Sequence, residues 1–82
     1  MFEGEIVYIS EFIKSKREGF YRLVVVRTLS GEPTKGKVYL NPENRNYQRW
    51  EPFLKVETVL KNLVWKDKSN GTIDGDSPVE AV

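Results

Sequence analysis

The sequence contains no cysteine and no histidine among its 82 residues. The first absence removes disulfides, thiol nucleophiles and thiolate metal ligands, and the second removes the side chain that most often moves protons near neutral pH. A disulfide-stapled secreted scaffold is therefore excluded, and the lack of Cys fits a reducing compartment. Long apolar runs are also missing. The longest are Ile6 to Ile9 and Leu23 to Val26, far short of the ~20 residues a membrane-spanning helix needs. No basic segment followed by an apolar one opens the chain, so no signal peptide is drawn and the expected location is cytoplasmic. There is no Gly-rich phosphate loop, no repeat and no linker. A chain this short buries roughly two-thirds of the surface its unfolded form exposes, enough for one core but not for a core and a large enclosed active site.

Net charge is scarce as well. Thirteen Lys and Arg stand against twelve Asp and Glu, a formal balance of +1. That total averages two unlike regions. Residues 1–68 hold all 13 basic groups and nine acidic ones, a balance of +4, whereas residues 69–82 hold only Asp74, Asp76 and Glu80, a balance of −3. The expected organisation is one domain over residues 1–76 and a frayed acidic end over 77–82.

What the chain has in quantity is β-branched residues: ten Val, four Ile and four Thr. They favour strands and make the expected class mostly β. Glu3 to Ile13 reads as a first strand, ended by the polar turn Lys14 to Gly19. Phe20 to Leu29 reads as a second, central strand because Leu23 to Val26 is apolar on both faces, and Ser30 to Pro33 ends it. Lys37 to Leu40 makes a short third strand. Asn41 suits a helix N-cap and Pro42 the first helical position, so one or two helical turns are expected toward Trp50, stopped at Glu51-Pro52. Val59 to Lys68 fits a helix or a strand by pattern. The Asn70-Gly71 pair decides for strands, a fourth over Val59 to Lys68 and a fifth over Thr72 to Asp76 around a primed two-residue turn.

Five strands with a short helical piece between the third and fourth, closed by a terminal hairpin, match a five-stranded small barrel. In this element order, residues 2–76 resemble the small OB-fold single-stranded DNA-binding proteins that phages and plasmids encode. An SH3-like barrel is the competing small barrel, and the Asn41 to Phe53 insert favours the OB order. The resemblance implies a DNA-binding role in replication, a ligand face on the second and third strands, and flanking first and last hairpin loops. On those elements lie Phe20, Arg22, Arg27, Lys37 and Tyr39, with Lys14, Lys16 and Arg17 in one loop and Lys66 and Lys68 beside the other. The mixture suits a single strand, since cations follow phosphates and flat rings stack on bases of any sequence.

The segment Asn44 to Trp50 adds two arginines, two large aromatics and three amides within seven residues. Trp50 is expected to plug the barrel end, leaving Tyr47 with Arg45 and Arg49 to face a ligand. Trp65 is expected in the core, and Phe20 and Tyr21 point to opposite faces, so one enters the core. The acidic stretch Asp67 to Asp76 fails as a calcium loop, because Thr72 and Pro78 stand where Gly and Glu are required. Asn70-Gly71-Thr72 fits the glycosylation pattern, which a chain without a leader does not meet. Nothing places two carboxylates in a pocket, so no catalysis, metal or cofactor is expected.

The expected function is non-enzymatic binding of single-stranded nucleic acid. The alternative is a protein-interaction or structural module on the same barrel, favoured by the near-neutral charge. The expected partners are a single-stranded nucleic acid and a possible second copy of the chain, paired through an exposed edge near Lys37 to Leu40, with no membrane. The acidic end is read as solvating, with competition for the basic face as its other reading.

Overall fold

A computed structural model describes residues 1–17, 19–29 and 31–82; Glu18 and Ser30, each within an expected turn, lie outside the described residues. The strands are β1 (Phe2–Ile9), β2 (Ile13–Lys14), β3 (Phe20–Thr28), β4 (Lys35–Leu40), β5 (Val59–Leu63), β6 (Trp65–Asp67), β7 (Thr72–Ile73) and β8 (Glu80–Ala81). One helix, α1 (Tyr47–Trp50), runs directly into a 3-10 turn over Glu51–Phe53, and a second 3-10 turn covers Lys68–Asn70. The protein is mostly β, and the described residues form eight strands rather than the five expected.

The sheet order is β6-β7-β4-β3-β1-β5-β8, with β2 paired to β3 off this path. Its two halves are joined by one run of chain. Residues 59–67 pair with β1 through β5 and then, past Val64, with β7 through β6. β7 meets β4 in parallel at Thr72 and Lys37. The sheet therefore curls toward itself as a half-barrel around a core of Ile6, Val24, Val26, Val38, Leu40, Leu60, Leu63 and Ile73.

Alternation puts those residues inside. On β3 the even positions Val24, Val26 and Thr28 are buried, and on β4 the even positions Gly36, Val38 and Leu40 are buried. Gly36 is required there, since a Cβ would sit 2.6 Å from Ile73 Cδ1 and 3.0 Å from Trp65 Cη2. Trp65 is half-buried, packed on the core and stacked on Phe2 at 4.4 Å between ring centroids.

Several expectations are corrected. The first strand stops at Ile9, because Ser10 is buried and its hydroxyl accepts the Leu23 N–H at 2.8 Å, turning the chain before β2 begins. The expected fourth strand is broken at Val64, one residue after Leu63 and two after Asn62, whose φ of 66° lies in the left-handed region. The expected primed turn is absent: Asp67 caps a 3-10 turn by accepting the Asn70 N–H, and only Gly71, at φ 66°, is left-handed. The short hydrogen-bonding side chain of Asp67 outcompetes the two-residue turn, although β6 and β7 still pair as a hairpin. Asn41 opens an Asx turn to Glu43 N–H rather than a helix, so α1 begins only at Tyr47.

The end expected to fray is held. β8 pairs with β5, Val79 and Ser77 are buried, and Glu80 lies 3.8 Å from Lys61. The edge of β4 expected to be open is met by β7 at Lys37, where Lys37 pairs with Thr72. Among the described residues no helix is long and apolar enough to cross a membrane.

Candidate functional site

The odd positions of β3 and β4 point away from the core, and the register aligns them in rows. Leu23 faces Tyr39, Val25 faces Lys37 and Arg27 faces Lys35. On the other side of β3, a bulge in β1 between Ile6 and Tyr8 brings Tyr8 opposite Val25 and leaves Glu5 opposite Arg27. The bulge matters because a plain alternation from Ile6 would turn residue 8 inward with the core set. Instead Tyr8 is half-exposed, as is Tyr39. Tyr21, at the head of the same face, meets Tyr39 edge-on at 5.8 Å between ring centroids.

This outer face thus carries three tyrosines around an apolar strip of Leu23 and Val25, with cations along one side. Two clefts mark its ends. One, of about 340 Å³, is lined by Ser15, Arg17, Phe20, Tyr21, Tyr39 and Asn41. The other, of about 290 Å³, is lined by Val25, Lys35, Gly36, Lys37, Asn70 and Gly71. Arg27 is paired with Glu5 at 2.6 Å. Arg17, Lys35 and Lys37 make no ion pair among the described residues.

The twelve residues singled out from sequence divide. Arg17, Phe20 and Tyr39 come together around the first cleft and Lys37 lines the second. Lys14 and Lys16 are exposed on the β2 arm beside Arg17. Lys66 is exposed on β6 and Lys68 follows it, beyond the second cleft. The remaining four are elsewhere. Arg22 occupies an even position, so it turns from the outer face toward the barrel end, where its Nε donates to Ser10 O at 3.0 Å, a terminal nitrogen reaches the Tyr47 hydroxyl at 3.5 Å, and Phe12 covers it at 4.8 Å.

Tyr47 does not face a ligand. It and Trp50 are neighbours at i, i+3 on one face of α1, so the burial that takes Trp50 inside takes Tyr47 with it. Trp50 is the expected plug, its indole N–H donating to Gly75 O at 2.8 Å. Arg49 is tied to Asp76 O at 3.1 Å, and Arg45 is exposed in the turn before the helix.

Sequence reasoning missed Tyr8, Tyr21, Leu23 and Lys35 as members of the face. The last three follow from odd-position alternation once Val24 and Val38 are placed inside. Tyr8 does not, because its orientation depends on the bulge. Of the titratable groups, Asp67 has its pKa held below the usual 3.8, first by the Ser69 hydroxyl and then by the Asn70 side-chain amide that it accepts. Among the described residues no group of three acidic side chains forms a metal site.

No protein-family model matches the chain, and the comparisons with curated proteins and with solved structures gave no match.

Proposed function

We propose that the chain is a non-enzymatic, single-stranded nucleic-acid-binding barrel of OB type that works through the outer face of β3 and β4. The fold part of this reading draws on the ladder order. Eight ladder segments reduce to five runs if β5 and β6 are one bent strand and the short β2 and β8 are appendages. The first run then neighbours the second and the fourth, and the fifth sits between the third and the fourth. α1 falls between the third and the fourth runs. Counted so, the order supports a Greek-key barrel of OB type.

The observation that carries the functional reading is the outer face. Flat rings spaced on an apolar strip, with unpaired cations at both ends, are what a flexible polyanion with stackable bases requires. Electrostatics add to it modestly. Glu80, the one acidic residue of the last six, is 3.8 Å from Lys61 on β5. It lies across β1 from the β3-β4 face, so it is poorly placed to compete for a strand there. A protein partner is the second reading, favoured by the half-exposed Phe12 and Phe20 beside the β2 arm.

Both tryptophans lie off this face, so the test uses fluorescence anisotropy of a labelled single-stranded oligonucleotide. Tyr39→Ala and Lys37→Ala each weaken binding, and Arg49→Ala does not. Full affinity in a Tyr39→Ala/Lys37→Ala double variant would remove the site from this face.

A further inference from the structure

Of the five asparagines only Asn70 precedes a glycine; the others are followed by Pro42, Arg45, Tyr47 and Leu63. An asparagine loses its side-chain amide when the next backbone nitrogen attacks its Cγ, and glycine, with no side chain to block the approach, leaves that nitrogen most open. Asn70 is exposed, and it and Gly71 line the second cleft together with Lys35 and Lys37. Two sets of hydrogen bonds oppose the attack. Asp67 accepts the Asn70 side-chain N–H at 2.6 Å and the Asn70 backbone N–H at 3.3 Å, so the carboxamide is drawn back toward residue 67. The Gly71 N–H donates to Lys68 O at 3.1 Å, which engages the nucleophile itself. The Ser69 hydroxyl, donating to Asp67 at 2.8 Å, holds the carboxylate in place.

We infer that Asn70 is a site of spontaneous deamidation, held shut by Asp67, and that its conversion places a carboxylate in the second cleft. The Gly71 nitrogen forms a bond to Asn70 Cγ, its proton leaves with the side-chain nitrogen as ammonia, and a succinimide ring closes. Water then opens either carbonyl of the ring, to an aspartate or an isoaspartate at position 70. No electrons are transferred, and water is the only co-reactant. Because the ring needs the carboxamide turned toward residue 71, the reaction proceeds from an opened turn, and each bond to Asp67 lowers the population of that state. Both products replace the amide donors with acceptors, so they lose the tie to Asp67 and set like charges together. The isoaspartate also adds a methylene to the backbone ahead of Gly71, whose C=O accepts the Lys37 N–H at 2.9 Å where β7 meets β4. The change therefore acts on that seam and on the charge in the cleft of Lys35 and Lys37. Its effect on a bound strand rests on the nucleic-acid reading above; the gate does not.

The intact chain is aged at constant, mildly alkaline pH, and the mass of the tryptic fragment 69–82 is followed, since Asn70 carries its only side-chain amide. The mass gain of an amide-to-acid exchange appears about three- to tenfold faster in Asp67→Ala than in the parent, as the loss of exposed hydrogen bonds implies. The chain unfolded in urea gains at least as fast as Asp67→Ala. Ser77→Ala, which weakens the domain away from this turn, gains at the parental rate, and Asn70→Gln removes the gain. In Asn70→Asp, oligonucleotide affinity by anisotropy falls about two- to fivefold, and less at higher salt, as expected for one exposed charge.

A gain in Asp67→Ala no faster than in the parent, or an acceleration in Ser77→Ala that matches it, overturns the gate. So does a fragment that keeps its mass in folded and unfolded samples alike. Unchanged affinity in Asn70→Asp, from a parent that binds, overturns the effect on the cleft. A parent that binds no strand at any salt overturns the face, and with it the effect on a strand, while the masses alone decide the gate.

Discussion

Replacing Ser77 by Ala tests whether the C-terminal residues hold the half-barrel together. Ser77 is 1% exposed. Its Oγ accepts the Val64 N–H at 2.9 Å and donates to Asp74 O at 2.6 Å. Val64 is the residue at which the chain leaves β1 and turns to β7, so its N–H falls outside both ladders. Removing the hydroxyl leaves that buried N–H without its partner, at about 1–3 kcal/mol, and forfeits a second bond worth about 0.5–1.5 kcal/mol. A loss of about 2 kcal/mol is expected. The whole domain is stable by roughly 4–12 kcal/mol if it follows the usual per-residue range. A chain of this size then melts about 8–16 °C lower. Thermal and urea unfolding of both proteins measure it, with an unchanged urea slope reporting that the same surface unfolds. A melting temperature within about 3 °C of the parent would refute the reasoning, since a two-state domain of this size responds to every kcal/mol. Deleting Ser77 to Val82 also removes Val79 from the core and is expected to destabilise the chain further rather than to free a binding face.

Other outcomes follow from the same geometry. Tyr8→Ala weakens oligonucleotide binding by about 1–3 kcal/mol, roughly five- to 150-fold, with melting unchanged, because Tyr8 is half-exposed and outside the core. Tyr47→Ala does the reverse, costing about 3–5 kcal/mol of stability because the ring is buried, as a urea midpoint would show. Glu57→Gly raises stability by about 1 kcal/mol in the same assay, since Glu57 sits at φ 80°. Asp67, with its pKa lowered when folded, contributes to the Lys68 to Gly71 turn above its ordinary 3.8, and that contribution is lost as pH falls through the folded value. NMR titration of Asp67 and the Asn70 amide checks it, and an Asp67 midpoint at or above 3.8 would contradict it.

The parts of the fold legible in the sequence are those written in side-chain alternation. The span of β3, the inward Val24, Val26 and Val38, and the buried Trp50 follow from residue type and period. What was not legible depends on backbone events that carry no residue signature of their own. The β1 bulge moves Tyr8 onto the outer face, and the left-handed Asn62 precedes the Val64 break that divides one expected strand into two. The order of β8 was hidden for another reason: Glu80-Ala81 has no strand character alone and gains it by pairing with β5 after Ser77 and Val79 are fixed inside. For the proposed site, charge and aromatic content pointed to Tyr39 and Lys37, which share the outer face of β4. Period misled at Arg22 and Tyr47, because counting a residue on an element does not say which of its faces is turned outward.

The most direct test of the nucleic-acid face is the salt dependence of single-stranded oligonucleotide affinity. Arg17, Lys35 and Lys37, with Lys14 or Lys16 on the arm, offer about three to four phosphate contacts, which gives a slope of log K against log salt of about −2 to −3 for a single strand. Lys37→Ala should make that slope shallower by about 0.7. A flat salt dependence, or no binding at low salt, would contradict the assignment of this face to nucleic acid.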